Sequence, residues 1–107
     1  MSDCLQVFCT TGTREEADAI AERLVRGGLA ACVQIAGPIA SVYRWEGEVA
    51  RSEEWLLLAK TTAEGFEALE AAITRMHSYE VPEIVAVPIE RGSDAYLAWL
   101  REAVGGA

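Results

Sequence analysis

The residues best suited to chemistry in this sequence are its three cysteines and its single histidine, namely Cys4, Cys9, Cys32 and His77. Thiol and imidazole groups bind copper and similar metals better than they bind Mg²⁺ or Ca²⁺. No two of these residues have the close spacing of a zinc finger. Cysteine is also among the residue types most often buried for packing alone. The residues by themselves therefore leave two interpretations open, a soft-metal site and a set of core side chains.

Polar and aromatic residues gather in the segment from His77 to Glu83. Pro82 disfavours helical geometry at Val81, so this segment is predicted to be a loop that follows a helix. Functional side chains often lie in such loops. A histidine at a helix end also interacts favourably with the helix dipole without any ligand. We therefore weigh a binding loop against a purely structural helix end.

Two pairs of acidic residues, Glu53–Glu54 and Glu46–Glu48, resemble the paired carboxylates of some catalytic sites. Adjacent strand residues point to opposite faces of a sheet, so Glu53 and Glu54 are not expected to share a site. Glu46 and Glu48 flank a predicted hairpin turn, where their charge keeps the turn soluble. Catalysis by paired carboxylates is therefore not expected.

Other enzyme motifs are missing from the sequence. Its one lysine, Lys60, does not follow a glycine-rich loop, and asparagine does not occur. These facts exclude a P-loop and the asparagine-containing phosphate cradle of the ferredoxin-like acylphosphatases. Ser78, next to His77, lacks the nucleophile elbow of a serine hydrolase. We therefore expect a binding protein and not an enzyme.

The composition limits the expected partners. In 107 residues, 17 acidic and 9 basic side chains give a net charge of -8. This charge repels phosphate backbones and anionic lipids, so neither nucleic acid nor a membrane is an expected partner, whereas cations are. Hydrophobic residues make up 51% of the chain, which at this length indicates one globular domain over residues 1–107.

The sequence also predicts a compartment. Its first residues contain no basic or apolar signal segment, and no apolar run approaches the roughly 18 residues that span a bilayer. An odd number of cysteines does not suggest a disulfide framework. We therefore expect the protein in the reducing cytoplasm.

Hydrophobic periodicity predicts strands and helices in alternation. The predicted order is strand 4–10, a helix from Thr13 to Gly27–Gly28, strand 30–45, strand 49–60, a helix from Thr61 to His77 or Ser78, strand 83–90, and a last helix that begins at Ser93 or Asp94. Both Thr13 with Glu16 and Thr61 with Glu64 have the spacing of a capping box. The second helix is predicted to bury one apolar stripe, formed by Phe66, Leu69, Ile73 and Met76.

The two central strands have further sequence features. Gly37–Pro38 interrupts the first of them, which implies an edge strand or a bulge. In the second, residues 49–54 are polar and are predicted to be partly solvated. Residues 55–59 are continuously apolar and are predicted to be covered on both faces.

The β-α-β-β-α-β order with a third helix matches the α+β class. It predicts a ferredoxin-like split βαβ plait, in which two helices pack on one face of an antiparallel sheet. The central hairpin is too long for so small a sheet and must overhang it. Tyr43 and Trp45 lie near its tip. An overhanging hairpin with exposed aromatic residues favours pairing with another copy of the chain, so we expect a homo-oligomer.

Six stretches, in order along nearly the whole chain, resemble the CutA family of divalent-cation tolerance proteins. They are Val7–Thr11, Gly28–Val33, Ser41–Gly47, Leu58–Thr62, His77–Ile84 and Tyr96–Leu100. The resemblance implies a fold close to that of the PII signalling proteins and a homotrimer whose hairpins pair across subunits. It also implies association with copper and other divalent metal ions in metal tolerance, and it implies no known reaction.

The resemblance further implies a set of metal ligands. In the family, copper binding is linked to a cysteine on the first strand and to histidines at the end of the second helix. The matching positions are Cys9, Met76 and His77, with methionine in place of one histidine found in some members. A thioether still suits Cu(I). Copper is thus the expected ion, and packing of Cys9 and Met76 in the core is the competing interpretation.

The resemblance also places a cleft between subunits beside the loop that begins at His77. The matching positions around this cleft are Gln34, Tyr43, Trp45, Lys60, Tyr79 and Glu80. Lys60 and Glu80 could orient a small anion, or they could form an ion pair that stabilises the trimer. The alternative to a copper-binding tolerance protein is therefore a PII-like signalling module that binds a small ligand in this cleft.

Overall fold

A computed structural model describes residues 3–105 of the chain. Its four strands and three helices follow the predicted order. Their bounds are β1 Cys4–Thr11, α1 Arg14–Arg26, β2 Cys32–Trp45, β3 Glu48–Thr62, α2 Phe66–Met76, β4 Ile84–Pro88 and α3 Asp94–Ala103.

The four strands form one antiparallel sheet in the order β2-β3-β1-β4. β1 lies in the interior of the sheet, where Cys9 is opposite Leu57 of β3 and Ile84 of β4. This strand order is the one that the split βαβ arrangement requires, so the predicted fold class is confirmed.

One face of the sheet packs against α1 and α2. Val7 and Cys9 of β1, which point to the same face, belong to the main core with residues of both helices. Its fully buried large side chains include Ile20, Leu24, Leu57, Leu69 and Ile73. This core fixes β1 relative to the ends of both helices, where the candidate site residues lie.

The opposite face of the sheet is only partly covered. At one end, Leu100 of α3 packs on Cys4 and Ala31. Elsewhere Val85 and Val87 of β4 are 51% and 46% exposed. The apolar half of β3 is therefore covered as predicted on the helix face, but its opposite face is only half-buried in the single chain. The prediction that both faces are covered is therefore wrong for the face opposite α1 and α2, because α3 is too short to shield the whole sheet.

The β2–β3 hairpin extends beyond the body of the protein. β1 pairs with β3 only from Trp55 onwards, so the preceding residues of β3 pair with β2 alone. The described chain measures 44 × 25 × 22 Å. At the tip, Glu46 and Gly47 both have positive φ, which is the geometry of the tight turn predicted there. The overhang inferred from the sequence is confirmed.

A bulge interrupts the pairing of β2 with β3 between Ala36 and Ile39, around Gly37–Pro38. β2 is an edge strand of the sheet, so both expectations from the proline are confirmed. A Cβ atom at Gly37 would lie 2.5 Å from the ring of Trp55. Glycine is therefore required at this position by close approach of the backbone to the indole.

Two of the predicted helix starts are confirmed and one is wrong. Thr13 and Ser93 cap α1 and α3, each accepting a hydrogen bond from a backbone N–H of its helix. α2 begins only at Phe66, and its N-cap has no side-chain hydrogen bond. Thr61 does not cap it, because its hydroxyl donates to the carbonyl of Leu29 at 2.8 Å and β3 continues through this residue.

The two ends of the described chain are tied to the body. Asp3 accepts hydrogen bonds from the guanidinium of Arg101 in α3, with atoms 2.9 to 3.1 Å apart. The backbone N–H of Gly105 donates to the carbonyl of Gly28 at 2.7 Å. No helix within residues 3–105 is long and apolar enough to cross a membrane.

Candidate functional site

His77 lies at the C-terminal end of α2 and is the centre of the candidate site. Its side chain is buried. Nε2 lies 2.7 Å from the carbonyl oxygen of Thr10, and Nδ1 lies 3.1 Å from the backbone nitrogen of Tyr79. A carbonyl only accepts and a backbone N–H only donates, so Nε2 donates to Thr10 and Nδ1 accepts from Tyr79. Both ring nitrogens are therefore engaged in hydrogen bonds with the backbone.

Glu16 of α1 binds the residue that follows the histidine. One carboxylate oxygen accepts a hydrogen bond from the backbone N–H of Ser78 at 2.6 Å, and the other accepts from the Ser78 hydroxyl at 3.0 Å. Thr13 accepts from the backbone N–H of Glu16, as the capping box predicts. The carboxylate of Glu16 itself is directed at Ser78 and connects the start of α1 to the end of α2.

Tyr79 closes the same cluster from the loop side. Its hydroxyl donates a 2.8 Å hydrogen bond to the carboxylate of Glu54 on β3, which is only 7% exposed. Burial and the neighbouring carboxylate raise the pKa of Tyr79 to about 12. A Cβ atom at Gly12 would lie 3.1 Å from this hydroxyl. The loop is thereby held against the end of β1 and the interior of β3.

Cys9 lies under this cluster, in the main core, and is 1% exposed. Burial raises the pKa of its thiol to about 12, and the charges of Glu83, Glu16 and Glu54 act in the same direction. The thiol is therefore protonated at neutral pH, and its Sγ lies 3.8 Å from the carbonyl oxygen of Thr10.

Met76 occupies a different environment from the other two predicted metal ligands. The predicted buried stripe of α2 includes it, but it is 38% exposed, so this expectation is wrong. Leu69 and Ile73 of the stripe are buried as predicted. Met76 is at the last turn of the helix, where it lines a surface pocket with two arginines, Arg23 and Arg75.

These side chains do not form a ready-made copper site. The thiol of Cys9 is protonated, both nitrogens of His77 are hydrogen-bonded, and Met76 lies beside cationic groups. Within residues 3–105, no group of three or more histidine, cysteine, aspartate or glutamate residues is placed to hold a metal ion. Copper binding by these residues stays a prediction, and it requires their side chains to rearrange.

The residues predicted for the small-ligand cleft divide into separate groups. The ammonium of Lys60 donates to the side-chain carbonyl of Gln34 at 2.5 Å, and Tyr79 binds Glu54 as described. The hydroxyl of Tyr43 lies 3.2 Å from that of Ser52, further along the hairpin. The remaining two are exposed, Trp45 at the hairpin tip and Glu80 on the loop.

The comparison with known proteins identifies the family. A model of the CutA1 divalent ion tolerance proteins matches residues 5–103. The chain belongs to the CutA family. A Divalent-cation tolerance protein CutA of Thermus thermophilus is 48% identical over 99 residues, which are 92% of this chain and 96% of that protein.

Solved CutA structures share the fold. The structure of the divalent cation tolerance protein (Cut A1) from Thermus thermophilus gives a TM-score of 0.94 at 47% identity, over 95% of this chain and 99% of that one. The periplasmic divalent cation tolerance protein CutA from Archaeoglobus fulgidus gives a TM-score of 0.91 at 40% identity, over 94% and 98% of the two chains. These relatives are named as tolerance proteins and not as enzymes.

Two residues of the candidate site are not identified by the sequence analysis. Glu54 falls in the half-strand predicted to be solvated, and alternation places it on the same face as Leu56 and Leu58. That face is only half-buried in the single chain, so nothing in the local sequence identifies Glu54 as buried. Glu16 is accounted for by the capping box and the helix dipole, and nothing in the local sequence indicates its contact with Ser78.

Proposed function

We propose that the protein acts in tolerance of divalent metal ions as a cytoplasmic homotrimer that binds copper or other heavy-metal ions and catalyses no reaction. The observation that carries the proposal is the match to the CutA1 family over residues 5–103. A net charge of -8 on each chain supports it, because three such chains attract cations strongly.

The incompletely covered sheet face supports a homotrimer. Val85 and Val87 are about half exposed there, and Phe8 and Leu58 are half-buried beside them. An exposed apolar face of this kind favours contact with other copies of the chain. The overhanging hairpin carries exposed Trp45 and offers unpaired strand edges for pairing.

A charge on the sheet face tests the trimer. Val85→Glu is expected to give chains of monomer mass, because it places a carboxylate in the proposed interface. Val25→Glu is the matched control, since Val25 is 44% exposed on α1, on the opposite side of the sheet. Light scattering at micromolar concentration is expected to show three chains for the unaltered protein and for the control. Monomer mass for the unaltered protein contradicts the proposal.

Copper is the metal we propose. Thiol, thioether and imidazole are the donors that bind Cu(I), and Cys9, Met76 and His77 supply one of each. Since the ring nitrogens of His77 are engaged with Thr10 and Tyr79, copper must displace hydrogen bonds before it binds. We therefore expect slow uptake of one copper ion per chain, with the release of a thiol proton from Cys9.

Native mass spectrometry of reduced, chelator-treated protein tests this site. Addition of Cu(I) is expected to give one tightly held ion per chain, lost in Cys9→Ala and in His77→Ala. Cys32→Ala is the matched control, because Cys32 is half-buried on β2 and is not part of the proposed set. Uptake that is non-stoichiometric, or equal in all four proteins, contradicts a copper site at these residues.

One observation favours a second function, in which a small anion binds in a cleft between subunits. Within residues 3–105, Lys60 forms no ion pair, and its ammonium contacts only the neutral side chain of Gln34. A half-buried ammonium without a counter-ion attracts an anionic ligand. A thermal-shift screen of metabolites separates the two functions, since stabilisation lost in Lys60→Gln and kept in His77→Ala supports the ligand and not copper.

The compartment is tested by cell fractionation. The Archaeoglobus fulgidus relative is named as periplasmic, which differs from the cytoplasm proposed for this chain. We expect the protein in the fraction that retains a cytoplasmic marker after osmotic shock. Release with a periplasmic marker contradicts this part of the proposal.

A further inference from the structure

In the part of the chain that the structure describes, two helical arginines lack the carboxylate partner that the other helical arginines have. Within residues 3–105, Arg14 pairs with Asp18, and Arg26 with Glu22. Arg101 of α3 pairs with Asp3 at the start of the chain. The remaining two arginines form no ion pair in that part of the chain, and both line the same surface pocket; they are Arg23 of α1 and Arg75 of α2.

The pocket lies between the two helices and is small. Its volume is about 200 Å³, and Ala72 and Met76 complete its lining. Ala72 is buried, and its short side chain leaves the space that the pocket occupies. Pockets for drug-sized ligands start at about 300 Å³, so this one suits a small ion or a single charged group of a larger molecule.

The sequence around the two arginines keeps their charges uncompensated. The residues four positions from Arg23 are Ala19 and Gly27, and those four positions from Arg75 are Ala71 and Tyr79. None is acidic, whereas Arg14 and Arg26 each have an acidic residue at this spacing. Two like charges in one pocket repel each other, and a bound anion relieves that repulsion.

The site remains accessible in the proposed trimer. α1 and α2 cover one face of the sheet, whereas Val85 and Val87 lie on the other. A partner seated on the exposed sheet face therefore leaves the pocket between the helices open to solvent. The inference does not depend on which metal, if any, the protein binds.

We propose that Arg23 and Arg75 form a binding site for a small oxyanion, either phosphate or a carboxylate. The planar guanidinium group donates two parallel hydrogen bonds to such anions. The two side chains come from different helices, so the bound anion joins α1 to α2. The apolar parts of Ala72 and Met76 exclude water from one side of the ion.

Methyl NMR of the full chain tests the site directly. The sequence contains two methionines and Met76 lines the pocket, so a protein labelled with ¹³C at the methionine methyl groups has a reporter there. Inorganic phosphate and succinate are titrated separately at constant ionic strength, with chloride as the balancing salt. A saturable shift of the Met76 methyl signal is expected for at least one of them.

Charge-neutral variants assign the site to the arginines. Arg23→Gln and Arg75→Gln are each expected to weaken the binding about tenfold or more, since one charged hydrogen-bond donor is lost. Arg14→Gln is the matched control, because Arg14 is an exposed α1 arginine outside the pocket. This control is expected to bind as the unaltered protein does.

Three outcomes overturn the proposal. They are a shift that grows linearly without saturation, saturation that is equal in the two pocket variants and the unaltered protein, and loss of binding in Arg14→Gln. The arginines then serve only to complement the C-terminal dipoles of their helices. Saturation by phosphate and not succinate assigns the site to phosphoryl groups, and the reverse assigns it to carboxylates.

Discussion

The hydroxyl of Tyr79 donates a 2.8 Å hydrogen bond to the carboxylate of Glu54, across 25 residues of chain. Glu54 is only 7% exposed and lies in the otherwise solvated half of β3. A buried carboxylate requires hydrogen-bond donors, because its transfer out of water is costly. This contact therefore fixes the loop after α2 to the base of the hairpin.

Removal of the Tyr79 hydroxyl is expected to destabilise the fold. Tyr79→Phe leaves the Glu54 carboxylate without this donor, at a cost of about 1–3 kcal/mol in the free energy of unfolding. Tyr43→Phe is the control, because the Tyr43 hydroxyl contacts Ser52 at an exposed position and its loss is expected to cost less than about 0.5 kcal/mol. Urea unfolding at fixed protein concentration measures both, and equal values for the two variants refute the prediction.

Stability is expected to fall at alkaline pH. The folded protein raises the pKa of Cys9 to about 12 and that of Tyr79 to about 12, from ordinary values of 9.0 and 10.0. Between the ordinary pKa and the raised pKa of each group, the unfolded chain has lost the proton that the folded chain keeps. The free energy of unfolding therefore decreases as pH rises. The stability that these two protonated groups contribute is fully present below pH 9 and is lost by pH 12.

Thermal unfolding from pH 8 to pH 12 measures this dependence. Tyr79→Phe is expected to remove the part that begins near pH 10, and Cys9→Ala the part that begins near pH 9. If stability falls with pH in Cys9→Ala as steeply as in the unaltered protein throughout this range, burial of the thiol does not control the alkaline transition.

The link between α1 and the end of α2 is expected to depend on Glu16 and not on its neighbour. Glu16→Ala removes both hydrogen bonds to Ser78 and is expected to lower the free energy of unfolding by about 1.5–3 kcal/mol. Glu15→Ala is a close control, since Glu15 is also an acidic residue of the first turn and so has a similar interaction with the helix dipole. The prediction fails if the two variants unfold at the same urea concentration.

Glycine at the bulge of β2 is expected to be essential for packing. In Gly37→Ala the new methyl group meets the ring of Trp55, and the resulting displacement is expected to cost about 1–3 kcal/mol. Gly47→Ala at the hairpin tip meets no atom within 4 Å but has φ of +81°, which costs about 1 kcal/mol. Urea unfolding that ranks Gly47→Ala as the more destabilised variant contradicts this explanation.

The sequence is informative wherever one segment determines the structure by itself. The strand at residues 4–10, the caps at Thr13 and Ser93 and the turn at Glu46–Gly47 are all local features, and each is confirmed. The capping box predicted at Thr61 is wrong because a strand that is distant in the sequence determines the structure of this residue. A threonine followed by an acidic residue is compatible with a cap, but pairing of Thr61 with Leu5 of β1 extends the strand through it.

Contacts between distant segments are not accessible in the same way. Glu16 and Ser78 are 62 residues apart, and Thr10 and His77 are 67 apart. Their types and local spacing are compatible with solvation, metal binding or mutual contact. The packing of both helices on β1 decides which of these roles the residues have, because it brings the start of α1 to the end of α2.

Alternation along β1 places core residues and residues of the open sheet face at successive positions of one short strand. Val7 and Cys9 point into the core beneath the helices, whereas Gln6 and Phe8 point to the open face. Successive positions of a single strand thus meet different structural demands. In the proposed trimer, substitution of the second pair would change a subunit contact while the first pair keeps the chain foldable, so that the assembly could change without a new core.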